Sequence, residues 1–246
     1  MTVQIQDLHF DEFGEFGAAF RQTGWENDYL QLEKGHFRGR MLFSESGSTQ
    51  VSRYIWQKKL HHLGLQPKGT IVLGVTLSQE GGAGTYLGSP IGLDSVIVQG
   101  GEAELEIFSA PVWDAAAIVI PESDFADQMA ALTQRAPNNI MRRRGLAKVS
   151  GPRSARLRQA CLDYFSVASM LSQSPDDGFT LESMAADLVS LAIRVVADSR
   201  LEPGPTPTLG RFHVADPEIA FVLQTPRAHR SHSRQTPPSH HFGLQS

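Results

Sequence analysis

The sequence predicts an α+β fold, a β-rich sandwich or barrel over the first half followed by an antiparallel helical pair. Three observations predict it. Short apolar runs broken by Gly- and Ser-rich turns recur as far as residue 120, and the hydrophobic period changes from two to 3.6 soon afterwards. Two long helical stripes are then separated only by the short segment SPDDG (174–178), which suits two helices packed antiparallel.

The elements follow in order. LQLEKGHFRGRMLFSES (30–46), VSRYIWQKKLHHLGL (51–65) and GTIVLGVTL (69–77) are rich in β-branched, aromatic and aliphatic residues, and predict three strands or bent strand pairs. EGGAGTYLGSPIGLD (80–94) is turn-rich and holds short strand pieces. In EAELEIF (102–108), Ala103, Leu105 and Ile107 alternate with Glu102, Glu104 and Glu106, the pattern of a strand with one wet face. SVIVQ (95–99) is almost wholly apolar, and Gly100-Gly101 between the two runs supplies the positive φ of a tight turn, so 95–108 is expected to form a hairpin. After a turn at Pro111, AAAIVI (115–120) predicts another strand.

The period then becomes helical. Phe125, Met129 and Leu132 mark a helix with Ser123 as its N-cap, closing the β unit. From Arg153, Leu157, Ala160, Cys161, Tyr164, Ala168 and Leu171 form one apolar stripe. From Thr180, taken as an N-cap, a second runs through Leu181, Met184, Ala185, Leu188, Leu191, Ala192 and Val195. The pair either seals one sheet face or also offers an outer face to a second copy of the chain; Leu157, Tyr164, Leu188 and Leu191 are the candidates for that contact. LEPGPTPTLG (201–210) reads as an extended linker. The expected organisation is a β-rich domain over 1–134, the helical pair over 150–200, and a Pro-rich linker with a disordered tail over 201–246.

Composition narrows the function classes. A chain of 246 residues with 41% hydrophobic and 20% charged residues can bury one sizeable core. Residues 1–134 carry 8 Lys+Arg against 17 Asp+Glu, whereas residues 135–246 carry 14 against 9. The acidic first part repels phosphate and is a poor nucleic-acid surface. No window holds 18 uninterrupted apolar residues and the N-terminus is acidic, so a cytoplasmic protein without a membrane partner is expected. Cys161 stands alone, without a disulfide partner, and reads as a small core residue.

Candidate chemistry is sparse. An octahedral metal needs three or four convergent N and O ligands, but His36 stands alone on an expected strand and His61-His62 point to opposite faces of another. No GxSxG nucleophile motif occurs. No catalytic residue, metal or cofactor is therefore expected. Arg142, Arg143, Arg144, Lys148, Arg153, Arg156 and Arg158 read as a solvated loop and helix start, with nonspecific phosphate contact as the alternative. The tail TPRAHRSHSRQTPPSHHFGLQS (225–246) holds His229, His232, His240 and His241, four of nine histidines, and has almost nothing to bury. Trp25, Tyr29, Tyr54 and Trp56 are the candidates for an effector pocket, since their rings can enclose a ligand while their polar tips orient it; core packing is the other reading.

Three stretches carry a family resemblance: TGWENDYLQLEKGHFRGRMLF (23–43), GLQPKGTIVLGV (64–75) and YLGSPIGLDSVIVQGGEAELEIFSAP (86–111), with Gly88, Asp94, Gly101 and Glu102 in a G…D…V…GxE run. Together with the order of elements they make residues 10–210 similar to the N-terminal regulatory part of AraC-family transcription activators, in the branch that includes ethanolamine-utilisation regulators. The resemblance implies a cupin-like β-barrel that senses a small-molecule effector, a helical pair that forms a homodimer, and a DNA-binding module with two helix-turn-helix units. Seven helices of about 11 residues need roughly 80 residues, whereas residues 211–246 number 36. No DNA-binding residue is identifiable there, so the tail is expected to stand in place of a complete DNA reader, as a shifted reading frame would produce. The alternative function is a small-molecule enzyme on a cupin barrel, distinguished by turnover.

Overall fold

The computed structural model describes residues 4–101, 104–134, 144–172 and 178–203, all within one compact unit spanning Met1–Gly210. Glu102, Ala103, Arg142, Arg143, the 173–177 connection and the linker and tail from residue 204, with His229, His232, His240 and His241, lie outside the described residues.

Two antiparallel sheets face each other. The larger runs in the order β1 (Gln4–Phe10), β3 (Gly39–Ser46), β4 (Thr49–Trp56), β11 (Val112–Pro121), β6 (Thr70–Glu80), β9 (Ser95–Gln99), β12 (Gly145–Lys148), β13 (Arg200–Pro203). The smaller runs β2 (Glu26–Gln31), β5 (Leu60–Leu65), β10 (Leu105–Phe108), β7 (Gly84–Tyr86), β8 (Ser89–Ile91). Four helices complete the described chain: α1 (Phe13–Gln22), α2 (Glu122–Thr133), α3 (Gly151–Leu171) and α4 (Gly178–Ala197).

The nearly unbroken apolar runs are explained by burial on both faces of the large sheet. Along β6, Ile71, Leu73, Val75 and Leu77 pack against the helices, while Val72 faces the small sheet. Along β11, Ala116, Ile118 and Ile120 take the helix side, and Trp113, Ala117 and Val119 the inter-sheet side. Period two thus divides one sheet between two cores. The outer core receives Phe125 and Met129 from α2, Leu157, Cys161 and Phe165 from α3, and Leu181, Leu188 and Ile193 from α4. The inner core is dominated by aromatics from both sheets and α1. Helices α2–α4, the large sheet and the small sheet form three layers, and both faces of the middle one are buried.

Several local expectations are corrected. SVIVQ and LEIF, the strand within EAELEIF, do not form a hairpin: β9 pairs with β6 and β12 in the large sheet, whereas β10 pairs with β5 and β7 in the small one. Every residue of β9 is buried, so it belongs mid-sheet, and Gly101, at φ 75, carries the chain across to the other sheet. The runs 30–46 and 51–65 behave likewise, each splitting into one strand of either sheet. Ser123 lies inside α2 and donates to Asp124; Pro121 is the N-cap, because β11 runs straight into the helix. Leu132 is 42% exposed and off the buried stripe. α4 begins before Thr180, and His36 lies between strands. Lys148 ends β12 instead of lying in a loop. The two sheets share no strand, so the β unit is a sandwich and not a barrel.

α1 was not foreseen. Phe13, Phe16 and Phe20 have i, i+3, i+7 spacing, but Gly14 and Gly17 weaken the local helix signal. Tertiary burial of Phe16 and Phe20, at 0% and 2% exposure, overrides that penalty.

Candidate functional site

The inner core does not close completely. Between the sheets lies a cavity of about 70 Å³, where one water centre needs roughly 10–15 Å³. Phe20 of α1, Tyr54 and Trp56 of β4, His62 of β5 and Trp113 of β11 line the cavity, together with Trp25 ahead of β2.

Alternation delivers these side chains. Tyr54 and Trp56 are two residues apart on β4, and both point into the inner core. β5 sends His62 inward while His61 lies on its other face, 3.1 Å from Glu106 and stacked on Phe108 at 4.2 Å. On β6 the inward positions Val72, Gly74 and Thr76 form one wall. A register shift between Asp114 and Ala115, opposite this segment, accommodates Leu77 as an extra residue. Trp113 packs so closely over Gly84 that an added Cβ would lie 2.7 Å from its ring. Glycine is the residue that lets β7 approach there.

The rings form a continuous chain. Phe20 stacks on Tyr54 at 4.6 Å and meets Trp25 edge-on at 5.7 Å; Trp56 meets Trp113 at 6.0 Å. Two polar tips are held by the protein. Trp56 Nε1 donates to Ser109 Oγ at 3.1 Å, and the Tyr86 hydroxyl donates to Gln99 Oε1. Among the described residues, four others on cavity-lining side chains have no partner: Trp25 Nε1, His62 Nε2, Thr76 Oγ1 and Trp113 Nε1. All four residues are more than nine-tenths buried. Burial pushes the His62 imidazole down to about 3, with the neighbouring His61 adding to the effect, so it is neutral at physiological pH. Burial also raises the Tyr54 phenol.

Trp25, Tyr54 and Trp56 thus meet at one cavity. Tyr29 does not line it; it stacks on His62 from behind at 4.4 Å. Sequence reasoning missed Phe20, His62, Thr76 and Trp113. The signal for His62 was the alternation of LHHLGL, and that for Phe20 its spacing from Phe16; Thr76 and Trp113 sat in runs whose inward face only pairing reveals. Among the described residues no group of three or more His, Cys, Asp or Glu side chains is placed to hold a metal. None of their helices is long and apolar enough to cross a membrane.

The helical pair places its candidates differently from one another. Leu157, Tyr164 and Leu188 are 0%, 1% and 3% exposed and belong to the chain's own outer core. The Tyr164 hydroxyl shares a 2.6 Å hydrogen bond with Ser44 of β3, and burial pushes it up to about 12. Leu191 is half-buried. It lines a shallow groove between α3 and α4 with an apolar floor of Ala160, Met184 and Leu188. Arg156, Asp163, Asp187 and Arg194 are exposed along the same groove. The Arg153–Asp198 ion pair, at 3.0 Å, ties the start of α3 to the end of α4, so the helices are antiparallel. Arg156 and Arg194 therefore share one end of the groove, and Asp163 and Asp187 the other. Among the other basic residues, Arg144 donates to the Glu104 carbonyl and Arg158 to that of Leu93, so part of the expected solvated patch is used within the chain.

No protein-family model matches the chain. No curated protein matches it either. Among solved structures it is similar to the AraC-like transcriptional activator CuxR, with 10% sequence identity and a TM-score of 0.49, covering 81% of this chain and 74% of that chain.

Proposed function

We propose that the chain is the effector-sensing and dimerisation part of an AraC-type transcription regulator. The observation that carries the sensing role is the inter-sheet cavity, whose walls are aromatic and almost wholly apolar. A bound apolar or aromatic molecule would bury that surface and stabilise the fold. The sequence resemblance supports the regulator class. Its run includes Gly88 and Gly101, both at positive φ in turns beside the cavity strands, so two of its glycines have a backbone reason. The test is a small-molecule screen by thermal shift with chemical analysis of each hit. A stabiliser recovered unchanged supports sensing; its conversion to product would favour the alternative, an enzyme on the same sandwich.

The partner in dimerisation is a second copy, seated on the groove of α3 and α4. That groove has two arginines at one end and two aspartates at the other, with two helical turns, about 10.5 Å, between the charges on each helix. A twofold axis through its middle lays each arginine end on the partner's aspartate end, the self-complementarity an isologous interface needs. Asp187→Arg is expected to yield monomer in light scattering at micromolar concentration, and Asp187→Arg with Arg194→Asp to restore the dimer. Monomeric wild type would refute this assembly.

A further inference from the structure

A second concavity lies on the other face of the large sheet, where the later turns of α3 pass over β3 and β4. This groove of about 410 Å³ falls within the roughly 300–1,000 Å³ of small-molecule sites. We propose that it binds a small amphipathic carboxylate, an anionic head on an apolar body. Its charged floor comes from four neighbouring strands. Period two puts Asp7, Arg40, Arg53 and Asp114 on the helix side of β1, β3, β4 and β11, in line with Ile5, Leu42, Val51 and Ala116. The arginines hold the two inner strands and the aspartates the two outer ones. Asp7 accepts from Arg40 Nε and Nη2 at 2.8 and 2.6 Å, and Asp114 takes the same edge of Arg53 at 2.9 and 2.6 Å. A guanidinium has five N–H donors, so each arginine keeps its Nη1 group, which has no acceptor among the described residues. Both side chains line the groove, at 34% and 22% exposure, and neither Nη1 is sealed from solvent.

Arg40 stands opposite Ile55 and Arg53 opposite Leu42, so the arginines are diagonal neighbours, roughly 7–8 Å apart at the backbone. Both can reach one anion. Arg53 also lies 6.0 Å from the centroid of the Phe165 ring, which fixes its plane. Asp7 and Asp114 brace the guanidiniums from outside and do not line the groove. The four formal charges cancel, so the attraction is local and comes from the N–H ends that face the groove. A dianion would meet two carboxylates behind those ends; a carboxylate carries a single charge and matches the planar guanidinium fork. The remaining walls set the body of the ligand. Ile55, Leu162, Phe165 and Met170 are apolar, and Met170 is 62% exposed. Leu162, Phe165, Ser166, Ser169 and Met170 follow the i, i+3, i+4, i+7, i+8 spacing of one helix face. The groove therefore runs along the side of α3, and the negative end of the helix dipole does not point into it.

The experiment uses the full chain and five probes: hexanoate, hexan-1-ol, hexylammonium, acetate and inorganic phosphate, with binding read by calorimetry and thermal shift. Hexanoate is expected to bind about tenfold or more tighter than hexan-1-ol, as a charge-assisted hydrogen bond dictates, and about tenfold or more tighter than acetate, which lacks the apolar body. Hexylammonium and phosphate should bind more weakly than hexanoate, and added salt should weaken hexanoate. Ser166 is exposed on the groove wall. Ser166→Asp, which sets a negative charge against the head, should cut hexanoate affinity about tenfold or more, whereas Ser166→Asn should keep it; both should melt like wild type without ligand. Arg53→Lys, which keeps a cation beside Asp114 and loses the fork, should cut the preference for hexanoate over hexan-1-ol several-fold. Equal binding of hexan-1-ol and hexanoate, or tightest binding by hexylammonium or phosphate, overturns the ligand class. Hexanoate binding untouched by Ser166→Asp places the ligand elsewhere and overturns the site. No hexanoate binding up to millimolar concentration overturns the proposal outright, and leaves the inter-sheet cavity to its own test.

Discussion

Lowering the pH from 7 to 5 should destabilise this protein through one residue, His62. Its imidazole is sealed between the sheets, stacked on Tyr29 at 4.4 Å and edge-on to Phe20 at 5.8 Å, and burial pushes it down to about 3. In the unfolded chain it titrates near the ordinary value of about 6.5. The folded state therefore binds fewer protons than the unfolded state between these values, and stability falls as pH drops below 6.5, levelling off near the folded value. At pH 5 the gap exploited is about 1.5 pH units, or about 2 kcal/mol. For a unit of this size that lowers Tm by roughly 4–8 °C. Asp7, held below the usual carboxylate range chiefly by its hydrogen bonds from Arg40, loses its contribution only at lower pH and stays outside the window. The assay is urea unfolding of wild type and His62→Phe at both pH values. The variant keeps a ring against Tyr29 but cannot protonate, so its pH dependence should be smaller by about 2 kcal/mol. Equal pH dependence in the two proteins would refute the assignment.

Other outcomes follow from the packing. Gly84→Ala places a methyl 2.7 Å from Trp113 and 2.8 Å from the Phe108 carbonyl oxygen; it should cost about 1–3 kcal/mol and shift tryptophan fluorescence, as seen by urea unfolding with emission spectra. Asp114→Asn breaks the two-pronged pair in which Arg53 Nε and Nη2 donate to Asp114 at 2.9 and 2.6 Å across β4 and β11. The loss should be about 1–3 kcal/mol, measured the same way. Cys161 is fully buried and its thiol is pushed up to about 12 by burial, so a thiol reagent at pH 8 should label it only after denaturant unfolds the chain. Leu188→Arg should abolish folding, as judged by circular dichroism, because Leu188 lies in the protomer's own core; Leu191→Arg, at the half-buried groove, should leave the fold and change the oligomeric state.

The element types were largely legible in the sequence, because period is a local property. The stripe from Leu157 to Leu171 and the run AAAIVI identify helix and strand without any tertiary information. Sheet membership was not legible. SVIVQ and LEIF are near neighbours in the chain with a glycine pair between them, and nothing local distinguishes a hairpin turn from a crossing between sheets. What decides it is that β9 has two apolar faces to bury and β10 has only one. The site shows the same division. Trp25, Tyr54 and Trp56 could be named from residue type, but Thr76 and Trp113 could not, since their importance lies in which core their side of the strand faces and in the partners they lack.

The sequence by itself therefore determined an α+β chain with a strand-rich half, a helical pair, a single buried thiol and a set of aromatics fit for a pocket. Tertiary structure alone decided that the large sheet is shared by two cores, that Leu157, Tyr164 and Leu188 are spent inside the protomer, and that aromatics from both sheets enclose one cavity between them. The physical reason is range: propensity and periodicity act over a few residues, whereas the fate of a side chain depends on surfaces brought together from 50 or more positions away, as Trp56 and Trp113 are by the register of β4 against β11.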